Sequence, residues 1–439
     1  MRAAPSLGGS TRLSSHPAMV PALALSLLFI PAIRSPAADD GGARQVSVEF
    51  VEDSNVRGRI TGDTTPSRRT LELDGKPHPL RDVLRIHFSR RTSKTPDPVS
   101  SMTVELADGS VIHGSLGEFP EASDGSTDRI LLTGPMWPQG LVIALDWVRR
   151  IDHRQAGAAR KPPSPRAAGR GRPGEMANGG DRILTTKGAH LNGILEGVHR
   201  AGVNFEDSSL GRLTLPWEQI EIVFVAALEA PPTLAEDAIA CTVEGREGSH
   251  IRGALKALSN NQVRVESPLV GEITLPTADL RELELHLGRV VYLTEREPLR
   301  VTEGTPYSEY FPWTWRKNRN VEGGPLRIGP RTYRRGLGVH SESRLVFPIE
   351  SGDLVFQSEI GIDAIGRLAD DNPEIGSALF RVLVDGKERY SGEMSWSMLP
   401  RHIEVEIATG RELELVVEMG KGHHILDRAD WADARIIRE

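Results

Sequence analysis

Residues 307–320 (YSEYFPWTWRKNRN) place two tyrosines, a phenylalanine and two tryptophans directly before Arg316, Lys317, Asn318, Arg319 and Asn320. Flat rings beside hydrogen-bond donors suit a ligand with an apolar face and polar edges: a sugar ring stacks its C–H face on an indole while its hydroxyls bond to nearby polar side chains. Tyr310, Trp313, Trp315, Arg316 and Asn318 are the binding candidates of this stretch. The same stretch reads equally as an edge strand or plug whose rings cover one end of a sandwich. His340, in GLGVHS, is a further candidate for ligand contact, although Gly336 and Gly338 explain a tight turn and a buried histidine explains the imidazole. Asp427, Asp430 and Asp433 recur at intervals of three, and Asp370-Asp371-Asn372 forms another oxygen-rich loop. Oxygen ligands from turns suit calcium at six- to eightfold coordination, but EF-hand spacing is absent and solvated surface is the alternative.

These residues need a scaffold, and the C-terminal part of the chain supplies strand patterns. Leu354-x-Phe356-x-Ser358-x-Ile360-x-Ile362, Phe380-x-Val382-x-Val384, Ile403-x-Val405-x-Ile407 and Leu413-x-Leu415-x-Val417 alternate strictly, which buries one face of a strand and wets the other. Turn signals such as Asp385-Gly386 and Thr409-Gly410 separate them. An antiparallel β-sandwich or jelly roll over 288–439 is expected, with Trp431 in its core. All five tyrosines lie in this region.

Upstream, a pattern of apolar-x-Gly-x-apolar recurs four times, centred on Gly58, Gly114, Gly193 and Gly253. Each copy opens and closes with alternating segments, and a mid-strand glycine marks a bend or a close backbone approach. Four small barrels, loosely SH3-like or Sm-like, are expected over 44–90, 100–153, 182–228 and 237–287. Units of that size are marginal alone, so sequence neighbours are expected to pack in two pairs. Residues 154–181, rich in Pro, Gly and Arg, read as a disordered linker between the pairs. Cys241, the lone cysteine, excludes an internal disulfide framework and reads as a buried apolar group.

Arg2 and Arg12 precede the apolar run 19–33, and Ser35-Pro36-Ala37 follows with small residues. This is the architecture of a secretory signal peptide over 1–37, so the expected location is secreted or periplasmic. The run is too short for a bilayer span, so no membrane span is expected after cleavage. With 53 Lys plus Arg against 60 Asp plus Glu, the net charge of −7 gives no electrostatic footprint for nucleic acid.

Four separated motifs carry a resemblance: TYRRGLGVHSES (332–343), the strand ending Gly361-Ile362-Asp363, FRVLVDGKERYSG (380–392) and DRADWADARI (427–436). In that order they resemble the NPCBM family of carbohydrate-binding modules, the type associated with glycoside hydrolase family 98. Ala364 and Pro330 depart from the family pattern near turns. The resemblance implies a galactose-binding-like jelly roll, sugar binding by loops at one end, and often a structural calcium. The expectation is an exported, non-catalytic protein that binds a glycan or cell-surface polysaccharide, its repeats acting as spacers or as docking modules for a protein partner. An adaptor whose sandwich makes only protein contacts is the alternative. A glycoside hydrolase is a third reading, which would need two carboxylates about 5 to 10 Å apart across a cleft.

Overall fold

The computed structural model describes residues 45–51, 55–89, 101–119, 128–153, 180–227, 229–304, 313–364, 376–421 and 423–439. The signal segment, nearly all of the linker, Tyr310 and the Asp370-Asp371-Asn372 loop lie outside them. Every regular element among the described residues is a strand or a short 3-10 turn, so the chain is all-β.

Each of the four copies contributes five strands. In copy 4, Ala240–Gly245, His250–Leu258, Gln262–Ser267 and Gly271–Pro276 pair in succession, and Leu280–His286 returns to pair with the first. Copies 2 and 3 repeat that order. Copy 1 links its second and third strands through the single bridge Ile60–Leu73. Alternation does the folding: in Gln262–Ser267 the residues alternate exposed and buried, with Val263 and Val265 fully inside. The repeated glycine marks a close approach. A Cβ on Gly253 would stand 2.7 Å from the Glu266 carbonyl oxygen, and one on Gly114 would stand 2.7 Å from that of Thr133. Cys241 is buried, and burial pushes its thiol up to about 12.

The fifth strands do not pair as 1 with 2 and 3 with 4. The fifth strand of copy 1, Val83–Phe88, runs antiparallel to the fifth strand of copy 4, with Ile86 opposite Leu283. That of copy 2, Val148–His153, pairs with that of copy 3, Ile220–Phe224, with Ile151 opposite Val223. The pairs are therefore nested, 1 with 4 and 2 with 3, which corrects the expected pairs on either side of the linker, 1 with 2 and 3 with 4. A fifth strand spends one edge on its own first strand and leaves the other open, so any fifth strand of matching register can complete it.

Beyond the repeats, two sheets face each other. One orders Arg316–Lys317, Gly336–His340, Arg428–Arg438, Asp353–Ile362 and Arg401–Glu406, with Val290–Tyr292 also on Arg428–Arg438. The other orders Arg300–Glu303, Ser343–Pro348, Glu412–Met419, Ser377–Val384 and Lys387–Ser395. Their inner faces share one core, centred on Trp431, whose ring meets Phe380 edge-on at 5.0 Å.

Copy 1 rests on this sandwich. Val51 and Leu84 pack with Ile437. Beside them Arg85 donates to Asp433 at 2.9 Å and to the Tyr292 hydroxyl at 2.9 Å, and Tyr292 donates to Glu284 of copy 4. Arg334 reaches Glu282 at 3.0 Å.

Candidate functional site

Trp313 lies half-buried ahead of the short strand Arg316–Lys317, and its indole stacks on the imidazole of His340, with centroids 4.7 Å apart and planes 14° from parallel. His340 ends the strand Gly336–His340, is 2% exposed, and has Nδ1 2.5 Å from the Ser341 carbonyl. A carbonyl only accepts, so Nδ1 carries the proton and donates. Burial pushes the imidazole down to about 4, so the ring beneath Trp313 is neutral at physiological pH. His340 is thus a buried support for the indole and not itself a contact surface.

The other members of the aromatic stretch divide by role. Trp315 packs against the sandwich core, its backbone N–H donates to Glu303 at 2.6 Å, and Lys317 lies 6.0 Å from its ring centroid. Arg316 donates from Nε to the Val321 carbonyl at 3.1 Å. Asn318 adopts a left-handed φ of 57°, donates its backbone N–H to the Gly336 carbonyl at 2.7 Å and accepts the Gly336 N–H on Oδ1 at 3.3 Å. Arg316 and Asn318 therefore shape the turn that carries Trp313. Of the residues expected to bind, the structure brings Trp313 and His340 together.

Other residues of this end were not among the expected sugar-binding residues. Asn320 is buried, accepts the Glu322 and Gly324 N–H groups on Oδ1, and donates to Asp363 at 3.3 Å. Glu322 pairs with Arg428 at 2.6 Å. Ser341 donates to Asp427 at 2.8 Å. The sequence had named Asn320 among the polar residues after the tryptophans, Asp427 among the calcium candidates and Asp363 at its Gly-x-Asp strand end, but nothing in it joined them.

The three aspartates expected to hold calcium have three separate sets of partners. Asp427 accepts from Ser341 and from the Ser377 N–H, and burial raises its carboxyl to about 7. Asp430 is completely buried; burial and then the neighbouring Asp363 carboxylate push its pKa well above the usual range, which favours its neutral form beside Asp363. Asp433 faces the repeats and accepts from Arg85. They do not form one ligand set, and no group of three His, Cys, Asp or Glu among the described residues could hold a metal ion. A strand points successive residues to opposite faces, and a left-handed Asp433 adds a local kink, so a spacing of three scatters the carboxylates.

Comparison with known proteins adds the family. Residues 289–437 match the NPCBM/NEW2 domain. A protein of Renibacterium salmoninarum named "Putative endo-alpha-N-acetylgalactosaminidase" is 30% identical over 117 residues, 26% of this chain, and the match spans 7% of that relative's length. Among solved structures, the CBM51 module of Clostridium perfringens GH95, in complex with methyl-galactose, is 26% identical, with a TM-score of 0.29, covering 34% of this chain and 99% of that one. CBM51-2 with the INT domains of Clostridium perfringens ZmpB, in complex with GlcNAc, is 19% identical, with a TM-score of 0.30, covering 55% of this chain and 45% of that one. The C-terminal sandwich of this chain, residues 289–437, is an NPCBM/NEW2 domain.

Proposed function

We propose that this protein is an exported, non-catalytic glycan-binding protein whose C-terminal sandwich engages a saccharide at the loop end bearing Trp313, the four repeats serving as spacer or docking modules. The supporting observation is the stacked pair: Trp313 keeps part of its surface in solvent while His340 fixes the plane of its ring. A platform fixed before binding spares the entropy of ordering it, which is how a small polar ligand is retained by few contacts. The Glu322–Arg428 ion pair supplies donors and acceptors at the same end of the sandwich. The match of residues 289–437 to a family of carbohydrate-binding modules supports a sugar as the class of ligand.

The test is a glycan array probed with the full chain and with Trp313→Ala. Retention on a defined set of glycans, reduced about tenfold or more in the variant, supports the reading. Equal retention by both proteins moves binding away from Trp313. No retention on any glycan favours an adaptor that makes only protein contacts.

A further inference from the structure

Where copy 1 meets the sandwich, a cleft of about 630 Å³ opens, separate from the loop end that carries Trp313. Its volume falls within the range of small-molecule sites. Glu49, Arg85 and His87 form the wall given by copy 1, and Arg331, Tyr333, Glu359 and Asp433 form much of the wall given by the sandwich. Every lining side chain is polar or aromatic.

Three carboxylates there face three guanidiniums and His87, and although Arg85 meets Asp433 at 2.9 Å and His402 lies 3.2 Å from Glu359, other pairs are loose. Glu49 has three cationic neighbours, yet none is closer than 3.4 Å: Arg435 at 3.4, His87 at 3.6 and Arg85 at 3.7 Å. Arg331 stands 3.8 Å from Glu359 and keeps 65% of its side chain exposed. The Tyr333 hydroxyl lies buried beside Arg331 without closing a hydrogen bond of ordinary geometry. The buried Nε of Arg85 is likewise without a hydrogen bond, 3.7 Å from Glu282. Loosely held carboxylates and the exposed Arg331 guanidinium around an open cleft leave hydrogen-bonding capacity for a ligand to take up.

The chemistry selects the ligand. An anion would meet Glu49, Glu359 and Asp433, a cation would meet Arg85, Arg331 and Arg435, and a hydrocarbon would meet no aliphatic wall. Hydroxyl groups both donate and accept, so adjacent ring hydroxyls can bridge carboxylate and guanidinium in turn while Tyr333 offers a flat surface. We propose that the cleft between copy 1 and the sandwich is a second binding site, for a neutral saccharide ring, built jointly by the repeats and the sandwich. The choice of a sugar over another polyol rests on the glycan-binding reading above; the position of the site does not.

Equilibrium dialysis of the full chain tests this, against methyl glycosides of galactose, glucose and mannose and against N-acetylglucosamine, with glucuronate and inorganic phosphate as charged probes. Arg331→Ala and Tyr333→Phe alter the cleft, and Trp313→Ala alters the loop end. The expected result is two binding events for neutral sugars, one weakened about tenfold or more by Arg331→Ala and weakened by Tyr333→Phe, the other by Trp313→Ala alone. One event, abolished by Trp313→Ala and indifferent to both cleft variants, overturns the cleft and leaves the loop-end reading standing. One event sensitive only to the cleft variants keeps the cleft and removes the loop end. Tighter uptake of glucuronate or phosphate at the cleft, or no uptake of any neutral sugar, overturns the inference.

Discussion

Arg85 and Asp433, 348 residues apart in the chain, meet at 2.9 Å and tie the first repeat to the last strand of the sandwich. Arg85 has only 12% of its side chain exposed, and the same guanidinium holds Tyr292 and lies 3.7 Å from Glu284. Asp433, Tyr292 and Glu284 therefore share this cation, Glu284 also accepting from Arg334 at 3.1 Å. Arg85→Ala takes the 2.9 Å counter-charge from Asp433 while Glu284 keeps Arg334, and the loss of one partner from a buried network costs up to about 3 to 5 kcal/mol. The expected outcome is a lower unfolding temperature with earlier proteolysis at the repeat–sandwich junction, whereas an unchanged melting curve would show that Val51, Leu84 and Ile437 carry the junction alone.

The seam between copies 1 and 4 is expected to weaken in alkali. His87 lies 3.3 Å from Glu282 and 3.6 Å from Glu49, and its hydrogen bonds to Glu282 and then to Glu49 raise it to about 9 against an ordinary 6.5. A base raised in the folded state contributes its full stability below pH 6.5 and loses it as pH climbs through about 9. Glu282 is lowered to about 2 despite burial, because His87, Arg85 and Arg334 favour its charged form. Its contribution is present above pH 4.5 and is lost as pH falls towards 2. The unfolding temperature should therefore decline between pH 6.5 and 9, and His87→Gln should flatten that decline; His87 is 41% exposed, so screening keeps the effect modest.

Asp430 makes an opposite prediction. A carboxyl whose folded pKa is raised contributes most below its unfolded value near 3.8 and loses that contribution as pH rises. Asp430→Asn keeps a donor towards Asp363 and removes the titration, so the variant should melt at a higher temperature than the parent at neutral pH, with the gap closing in acid. Calcium and chelator should leave both proteins unchanged. A parent that is stabilised by calcium while Asp430→Asn is not would give the Asp363–Asp430 pair to a cation instead of a proton.

His340 should affect saccharide retention without touching the sugar. His340→Ala removes the surface beneath Trp313 and should weaken glycan binding several-fold, since the indole must then be ordered at the moment of binding. His340→Phe keeps a flat ring and should restore most of the affinity. Because the imidazole is neutral above about pH 4, binding should be flat with pH from 5 to 8.

Gly253→Ala should destabilise copy 4 by about 1 to 3 kcal/mol, since the new methyl meets the Glu266 carbonyl oxygen and the Val265 side chain. Gly271, which has a φ of 79° and open space around it, fails for a different reason: Gly271→Ala strains the backbone and should cost about 1 kcal/mol. Thermal melts of the two variants separate collision from strain.

The sandwich was legible because its strands keep period two: Phe380-x-Val382-x-Val384 and Leu413-x-Leu415-x-Val417 point the same residues into the core that alternation assigns. The repeated glycine was legible as a close approach for the same local reason. Which repeats pair was not legible, since VLRIHF, VRRIDH, IEIVF and LRELELH all read as closing strands. Arg85 and His87 do oppose Glu284 and Glu282 in the observed register, a charge match that a comparison of fifth strands could have found. At the loop end, the sequence pointed to Trp313 but gave no reason to place it on His340, because the two meet only when separate strands bring their loops together. The aspartate spacing misled because a strand alternates its faces, and each carboxylate found a different neighbour.

The nested order of the repeats has a consequence for biogenesis and for damage. The open edge of the first repeat has to wait for nearly two hundred further residues before its mate, Leu280–His286, is synthesised. A backbone break anywhere between His153 and Gly180 would sever the polypeptide yet leave both duplexes bridging the gap, so the halves should co-elute until denaturant parts them.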